Sequence, residues 1–296
     1  VSFSFPQRPG RGPALGDHRR RIEALERRHI KLPPGLLGGP GLNDTLDTLG
    51  FDAVWPFDDA AGSVAHDSTG NGHDLSTVSG FADPTWAQAA GPPGTQSALF
   101  EVSPASACME ETTTGTITGD FTAGVWFKGA GSKDFMGSGF FGGHSSHAGW
   151  ALIRQATSGK LLLFVGNTTS GPNTVLSDNA MTSTDFHLGL ITRIAGEWLM
   201  YVDGLLQAAS YTEGLYTPAA GIWFGSPPSG VLGDTDGTMS YGMLAATRGL
   251  SGAEVLEVYN AGVTHGIPGS GTVPVAGGDG SVTYEPQTIA FYKDGV

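Results

Sequence analysis

Trp198-Leu-Met-Tyr-Val-Asp-Gly204 reads as a hydrophobic strand closed by an Asp-Gly turn, the strongest short-range hairpin signal a sequence offers. Upstream, Trp55-Pro-Phe-Asp-Asp-Ala-Ala-Gly62 reads as a half-buried strand that runs into the polar loop Asp67-Ser-Thr-Gly-Asn-Gly-His-Asp74. Phe121-Thr-Ala-Gly-Val-Trp126 supplies a middle strand, and Leu250-Ser-Gly-Ala-Glu-Val-Leu-Glu-Val-Tyr-Asn260 a late turn. The chain has 47 glycines in 296 residues, well above the usual ~7 per cent. Glycine is what tight turns and bulges between many short strands require, so little helix is expected after residue 32.

These four blocks occur in one order across roughly residues 51 to 262. Together they resemble the pattern of the laminin-G-like (concanavalin A-like) jelly roll. That resemblance implies an all-β jelly-roll sandwich, here with a short N-terminal α-helical coiled coil. One stretch departs from the pattern: Tyr241-Gly-Met-Leu-Ala-Ala246 stands where similar domains often carry an Ile-Asp-Asp/Glu-Val strand. Any role the family gives those acids is absent here.

Charge is unevenly distributed. Residues 1–31 hold eight Lys/Arg and three Asp/Glu, a net +5, while the rest holds seven bases and 25 acids, a net −18. An acidic body is a poor partner for nucleic acid. Within the basic arm, Leu15, His18, Ile22, Leu25, His29 and Leu32 recur at three- and four-residue spacing, the seam of a short coiled coil. Asp17 is placed to cap this helix and Pro33-Pro34 to stop it. A helix of about 15 residues is marginal alone in water, so the seam calls for cover by further copies, by a partner or by its own domain. His18 and His29 read as polar, register-setting layers; in a trimer, three imidazoles would meet at each level.

The expected organisation is an extended arm over 1–16, a basic coiled-coil helix over 17–32, a Pro/Gly linker over 33–50, the jelly roll over 51–266, and a Gly/Pro linker with a C-terminal strand over 267–296. Both terminal segments, Val1 to Phe5 and Val282 to Tyr292, alternate enough to add a strand to a sheet edge. The first thirteen residues lack the apolar stretch of a secretory signal, and nowhere do about 18 apolar residues run together, so no membrane insertion is expected. The single cysteine, Cys108, reads as a small buried hydrophobe.

Catalytic patterns are missing. Jelly-roll glucanases resembling this fold place two acids on one strand face as E-x-D-x-x-E, and no such run exists here. Glu254 and Glu257 are expected to face solvent, and the adjacent Glu110 and Glu111 to point to opposite strand faces. His144 and His147 fall in a Gly-rich loop without a G-x-S-x-G elbow. The chain is therefore expected not to be an enzyme. Calcium is the candidate cofactor, since hard cations take oxygens from irregular loops. Asp67, Asn71 and Asp74 offer one such set, Asp234 and Asp236 another; the competing reading is ordinary turn formation. For sugar binding, the aromatics nearest to loops are Trp150, Trp223, Tyr211 and Tyr216. Trp55, Trp126 and Trp198 belong to the core, and Trp86 is expected in a loop.

A short basic coiled coil, a Pro/Gly hinge and a laminin-G-like head resemble the layout of minor tail proteins of tailed phages that infect actinobacteria. The resemblance implies a structural and adhesive virion component, assembled in the host cytoplasm and favouring a homotrimer. Its partners would be other tail proteins and host-surface glycan. Alternatives are a capsid decoration protein and a carbohydrate-binding module or glycan-active enzyme. Ile22→Asp combined with Leu25→Asp is expected to convert the full-length oligomer to a monomer with the head still folded. Light scattering checks this, and an unchanged mass would assign assembly to another surface.

Overall fold

The computed structural model describes residues 42–88, 97–101, 106–129, 133–139, 141–142, 146–155, 157–166, 173–181, 184–207, 211–212, 216–226, 237–264, 272–276 and 282–286. The chain divides into two units, 1–39 and 40–296, and every described residue belongs to the second. The arm residues Leu15, His18, Ile22, Leu25, His29 and Leu32 lie outside the described residues.

Nineteen strands precede the last helix in chain order: β1 (Ala53–Trp55), β2 (Val64–Ala65), β3 (Leu75–Thr77), β4 (Thr85–Gln88), β5 (Ser97–Phe100), β6 (Cys108–Glu111), β7 (Phe121–Lys128), β8 (Lys133–Ser138), β9 (Phe141–Gly142), β10 (Ser146–His147), β11 (Trp150–Arg154), β12 (Lys160–Val165), β13 (Asn173–Ala180), β14 (His187–Ile194), β15 (Glu197–Val202), β16 (Leu205–Leu206), β17 (Tyr211–Thr212), β18 (Ile222–Gly225) and β19 (Gly237–Ala245). One sheet runs β16-β15-β14-β7-β19-β5-β4, with β1 also on β19 and β17 on β15. The other runs β13-β12-β11-β8-β18-β6-β3-β2. Every pairing in both sheets is antiparallel. The described residues thus form an all-β sandwich.

Strand β7 shows why the sandwich needs more than two layers. Residues Phe121 to Phe127 are all buried. By the period-2 alternation of a strand, Phe121, Ala123, Val125 and Phe127 enter the inter-sheet core with Trp150, Leu152 and Phe224 of the opposite sheet. Trp126 points the other way, into a second cluster with Leu188, Tyr201 and Met243. Two helices cover that face: α1 (Leu42–Thr48) through Leu42 and Leu46, and α2 (Gly252–Thr264) through Val255, Val258 and Tyr259. Trp126 and Tyr259 stack at 5.7 Å with an 18° interplanar angle. Five of the six tryptophans are fully buried, each large apolar side chain contributing roughly 1.5–3 kcal/mol.

Leu250-Ser-Gly-Ala-Glu254 starts α2 as a capping box: the Ser251 N–H and hydroxyl each donate to Glu254 at 2.8 Å. Glu254 also pairs with Arg248, whose guanidinium donates to the Leu49 carbonyl at 2.9 Å, just after α1. Thr122 Oγ1 accepts the Leu250 N–H at 2.8 Å and donates to the Arg248 carbonyl at 3.2 Å, fixing the turn to β7.

Three expectations are corrected. Residues 42–48, read as linker, form α1, because Leu42 and Leu46 lie one turn apart and find an apolar sheet face to cover. The run read as a second linker contains a strand, β20 (Thr272–Ala276), which pairs with β21 (Val282–Pro286) as a separate two-stranded sheet. Glu254 serves as a helix cap rather than facing solvent unengaged, and backbone and hydroxyl bonds from Ser251 with the Arg248 charge hold its carboxyl below the usual range despite some burial.

Gly262 of α2 lies so close to the sheet that a Cβ there would sit 2.4 Å from Trp126 Cζ2. Gly262→Ala should therefore destabilise by about 1–3 kcal/mol, the overpacking cost exceeding the ~1 kcal/mol helix-propensity gain. Gly252→Ala, whose Cβ would meet only Tyr201 at 3.7 Å, serves as the near-neutral control in thermal melts.

Candidate functional site

Asp67-Ser-Thr-Gly-Asn-Gly-His-Asp74 is built around one carboxylate. Asp67 accepts the backbone N–H of Val54 (3.0 Å), Thr69 (3.0 Å) and His73 (3.3 Å) and the Thr69 hydroxyl (2.8 Å). Asn71 Nδ2 donates to the Asp52 carbonyl at 2.8 Å, and Asp74 accepts the Asp67 N–H at 2.8 Å. The Trp55 indole donates to the His73 carbonyl at 2.6 Å, closing the loop onto β1. Burial opposes ionisation of Asp67, but these bonds outweigh it and hold its carboxyl below the usual range.

Calcium needs six to eight convergent oxygens. Here the carboxylates of Asp67 and Asp74 accept backbone N–H groups and Asn71 spends Nδ2 on the Asp52 carbonyl, and among the described residues no group of three or more His, Cys, Asp or Glu could hold a metal. Asp234 and Asp236 lie outside the described residues.

Nearby, Glu111 is buried, and its carboxylate accepts from Thr113 and Thr114, with His73 Nδ1 at 3.6 Å. Burial opposes its charge, yet these bonds hold it below the usual range. Its half-buried neighbour Glu110 is shifted upward, by burial first and by the Glu111 charge second. Cys108 is fully buried, and burial pushes its thiol well above the usual range, which keeps it in the thiol form.

Of the four aromatics expected at a sugar site, two lie in the interior instead. Trp150 and Trp223 are both fully buried. Trp150 stacks on Phe121 at 5.6 Å in the inter-sheet core. Trp223 fills the outer face of the second sheet with Ala151, Ile153 and Leu162, its indole donating to the Gly139 carbonyl at 3.1 Å. Tyr216 packs edge-on against Trp198 at 5.0 Å. The Tyr211 side chain lies outside the described residues. Trp86 belongs to β4 rather than a loop, its indole donating to the Gly62 carbonyl at 2.7 Å.

A cleft of about 610 Å³ opens where β13, the edge of one sheet, meets β14–β16 of the other. Asp178, Asn179 and Ala180 form one wall; His187, Val202, Asp203 and Leu206 form the other. A bulge makes the first wall. Lys160 pairs with Ala180 and Leu162 with Leu176, so three residues of β13 face one of β12. Ser177 holds the bulge by accepting the Leu161 N–H and donating to the Asn179 carbonyl, both at 2.9 Å.

The second wall is set by the Asp203-Gly204 turn, with Asp203 at φ 51° and Gly204 at φ 77°. The Asp203 carboxylate accepts the Leu188 N–H at 2.9 Å, and its other oxygen lies 2.7 Å from His187 Nδ1. That contact assigns the proton to Nδ1 and leaves Nε2 the acceptor of the neutral ring. Gln207 closes the floor between the sheets: its amide oxygen accepts the Asp178 N–H and its amide nitrogen donates to the Leu205 carbonyl, both at 2.9 Å. Leu206, 54 % exposed, is one of two exposed large hydrophobics among the described residues, the other being Leu176 on β13. Sequence reasoning missed this site. Asp203 was visible only as a turn residue, and only the polar run Ser177-Asp178-Asn179, which interrupts β13, hints at the bulge.

No protein-family profile and no curated protein matches the chain. Solved structures do. The botulinum neurotoxin serotype D binding domain matches at TM-score 0.53 and 12% identity, over 73% of this chain and 52% of that one. The binding domain of botulinum neurotoxin DC in complex with SialylT matches at TM-score 0.53 and 10% identity, over 72% and 51%. A type C structure, described by its dependence on two ganglioside molecules to enter cells, matches at TM-score 0.51 and 10% identity, over 71% and 50%. The likeness is one of fold, and this chain spans about half the length of those structures.

Asp67→Ala should destabilise the protein by roughly 2 kcal/mol, with the same fall in Tm in calcium and in chelator; a fall confined to calcium would contradict the turn assignment. Because the folded-state pKa of Asp67 is depressed, its contribution is fully present above about pH 4 and disappears as pH falls through the folded value. Accordingly, wild type and Asp67→Ala should converge in acid.

Proposed function

We propose that the sandwich is a non-catalytic carbohydrate-binding head and that the bulge-walled cleft is its ligand site. The observation that carries this reading is the juxtaposition, across one cleft, of exposed Leu206 with polar residues whose backbone is fixed by the Asp203 turn, Gln207 and the β13 bulge. A pyranose presents an apolar face and a rim of hydroxyls; Leu206 and Val202 suit the face, and the Asn179, Asp178 and His187 side chains suit the rim. The likeness to toxin receptor-binding domains, one of them in complex with SialylT, supports a binding role rather than a catalytic one.

The finer reading is a minor tail or tail-tip component of a phage virion, with three copies joined through the amphipathic arm and the head touching host glycan or a neighbouring tail subunit. Its support is the sequence layout of basic arm, Pro/Gly segment and strand-rich head.

The test is glycan retention by the full chain. Wild type should retain oligosaccharide and release it unchanged. Leu206→Asp, at an exposed position, should lower affinity about tenfold or more with an unchanged Tm. Turnover of the bound sugar, or full affinity in Leu206→Asp, would overturn the assignment.

A further inference from the structure

We infer that the cleft selects saccharides without acidic groups and discriminates against sialylated, uronic or sulfated ones. This inference rests on the cleft being the sugar site. Among the described residues that line it stand two carboxylates, Asp178 and Asp203, and no Lys or Arg. His187 does not reverse that sign. Its Nδ1 lies 2.7 Å from Asp203, so the ring is directed at that carboxylate.

Basic groups on adjoining elements are differently placed. Arg154 is buried and spends Nη2 on the Met181 carbonyl at 3.3 Å. Lys160 pairs with Ala180 from the next strand and does not line the cleft. Beyond the cleft, residues 32–296 carry 25 acids against seven bases, so the far field has the same sign. Recognition of a sugar carboxylate or sulfate normally uses a basic fork or a cluster of N–H donors. Two backbone donors at the cleft are spent within the protein: the Leu188 N–H on Asp203 and the Asp178 N–H on Gln207.

An acidic ligand would therefore bring its charge into a concave, partly desolvated space lined by like charge. Between charges within a Debye length the repulsion is felt at low salt and screened at high salt. The selection against acidic sugars is thus a salt-dependent quantity.

The experiment is an array of neutral oligosaccharides, lactose-, N-acetyllactosamine- and chitin-type, each printed beside its sialylated or sulfated form and probed with the full chain. At about 0.02 M salt the neutral member of each bound pair should be favoured by about threefold or more, and at about 0.5 M the preference should shrink. Asp178→Asn should narrow the low-salt ratio between the members of a pair and Asp178→Lys should reverse it, since any loss of a hydroxyl contact at this residue falls on both members and cancels in the ratio. Preference for the acidic member, or a gap that neither variant moves, overturns the inference while leaving the sugar-binding assignment standing. Retention of no glycan at all overturns both.

Discussion

A strand with no polar face must be covered twice, and the architecture of this protein follows from that constraint. Phe121 to Phe127 are buried on both sides, so the second sheet alone cannot satisfy β7. The two helices supply the missing layer, and the polar devices around them serve that docking. The Ser251–Glu254 box caps α2, while the Arg248 bond to the Leu49 carbonyl and the Thr122 hydroxyl tie its entry to the other helix and to the sheet. Burial supplies the free energy, while the hydrogen bonds determine which helix end meets which strand.

Two-sided cover stops at one margin of the sandwich, and the cleft lies there. At that margin the sheets are joined by the Gln207 amide, which reaches from the β16 side to the Asp178 N–H. The bulge at Ser177 turns Asp178 and Asn179 out of the regular pleat, and the Asp203 turn holds His187 opposite them. Rigid elements thus present polar groups beside an exposed leucine. This order is what a ligand site needs if it is to bind without paying again for organisation.

Much of the fold was legible in the sequence because its blocks carry turn chemistry. Asp67 and its glycines read as a loop, and the structure shows why: one carboxylate collects three backbone N–H donors, one from β1 and two from the loop itself. Tyr201-Val-Asp-Gly204 read as a turn for a similar reason. The failures have physical causes too. Trp150 and Trp223 stand beside Gly-rich stretches, which suggested exposure, but strands covered on both faces lose the alternation that separates inside from outside. Helix α1 was hidden because its leucines are flanked by glycine and proline, and only the apolar back of the sheet makes a helix worthwhile there. The cleft draws on β13, β14 and the β15–β16 turn, an assembly that local pattern does not reveal.

If ligand meets the protein at this margin, backbone amide chemical shifts followed during titration with a neutral oligosaccharide retained by the full chain should report it. Perturbations are expected to concentrate at Asp178–Met181, His187 and Asp203–Gln207. Perturbations centred instead on the Thr114–Asp120 loop, which lines a separate pocket with Ala246 and Thr247, or spread over the helical face, would contradict it.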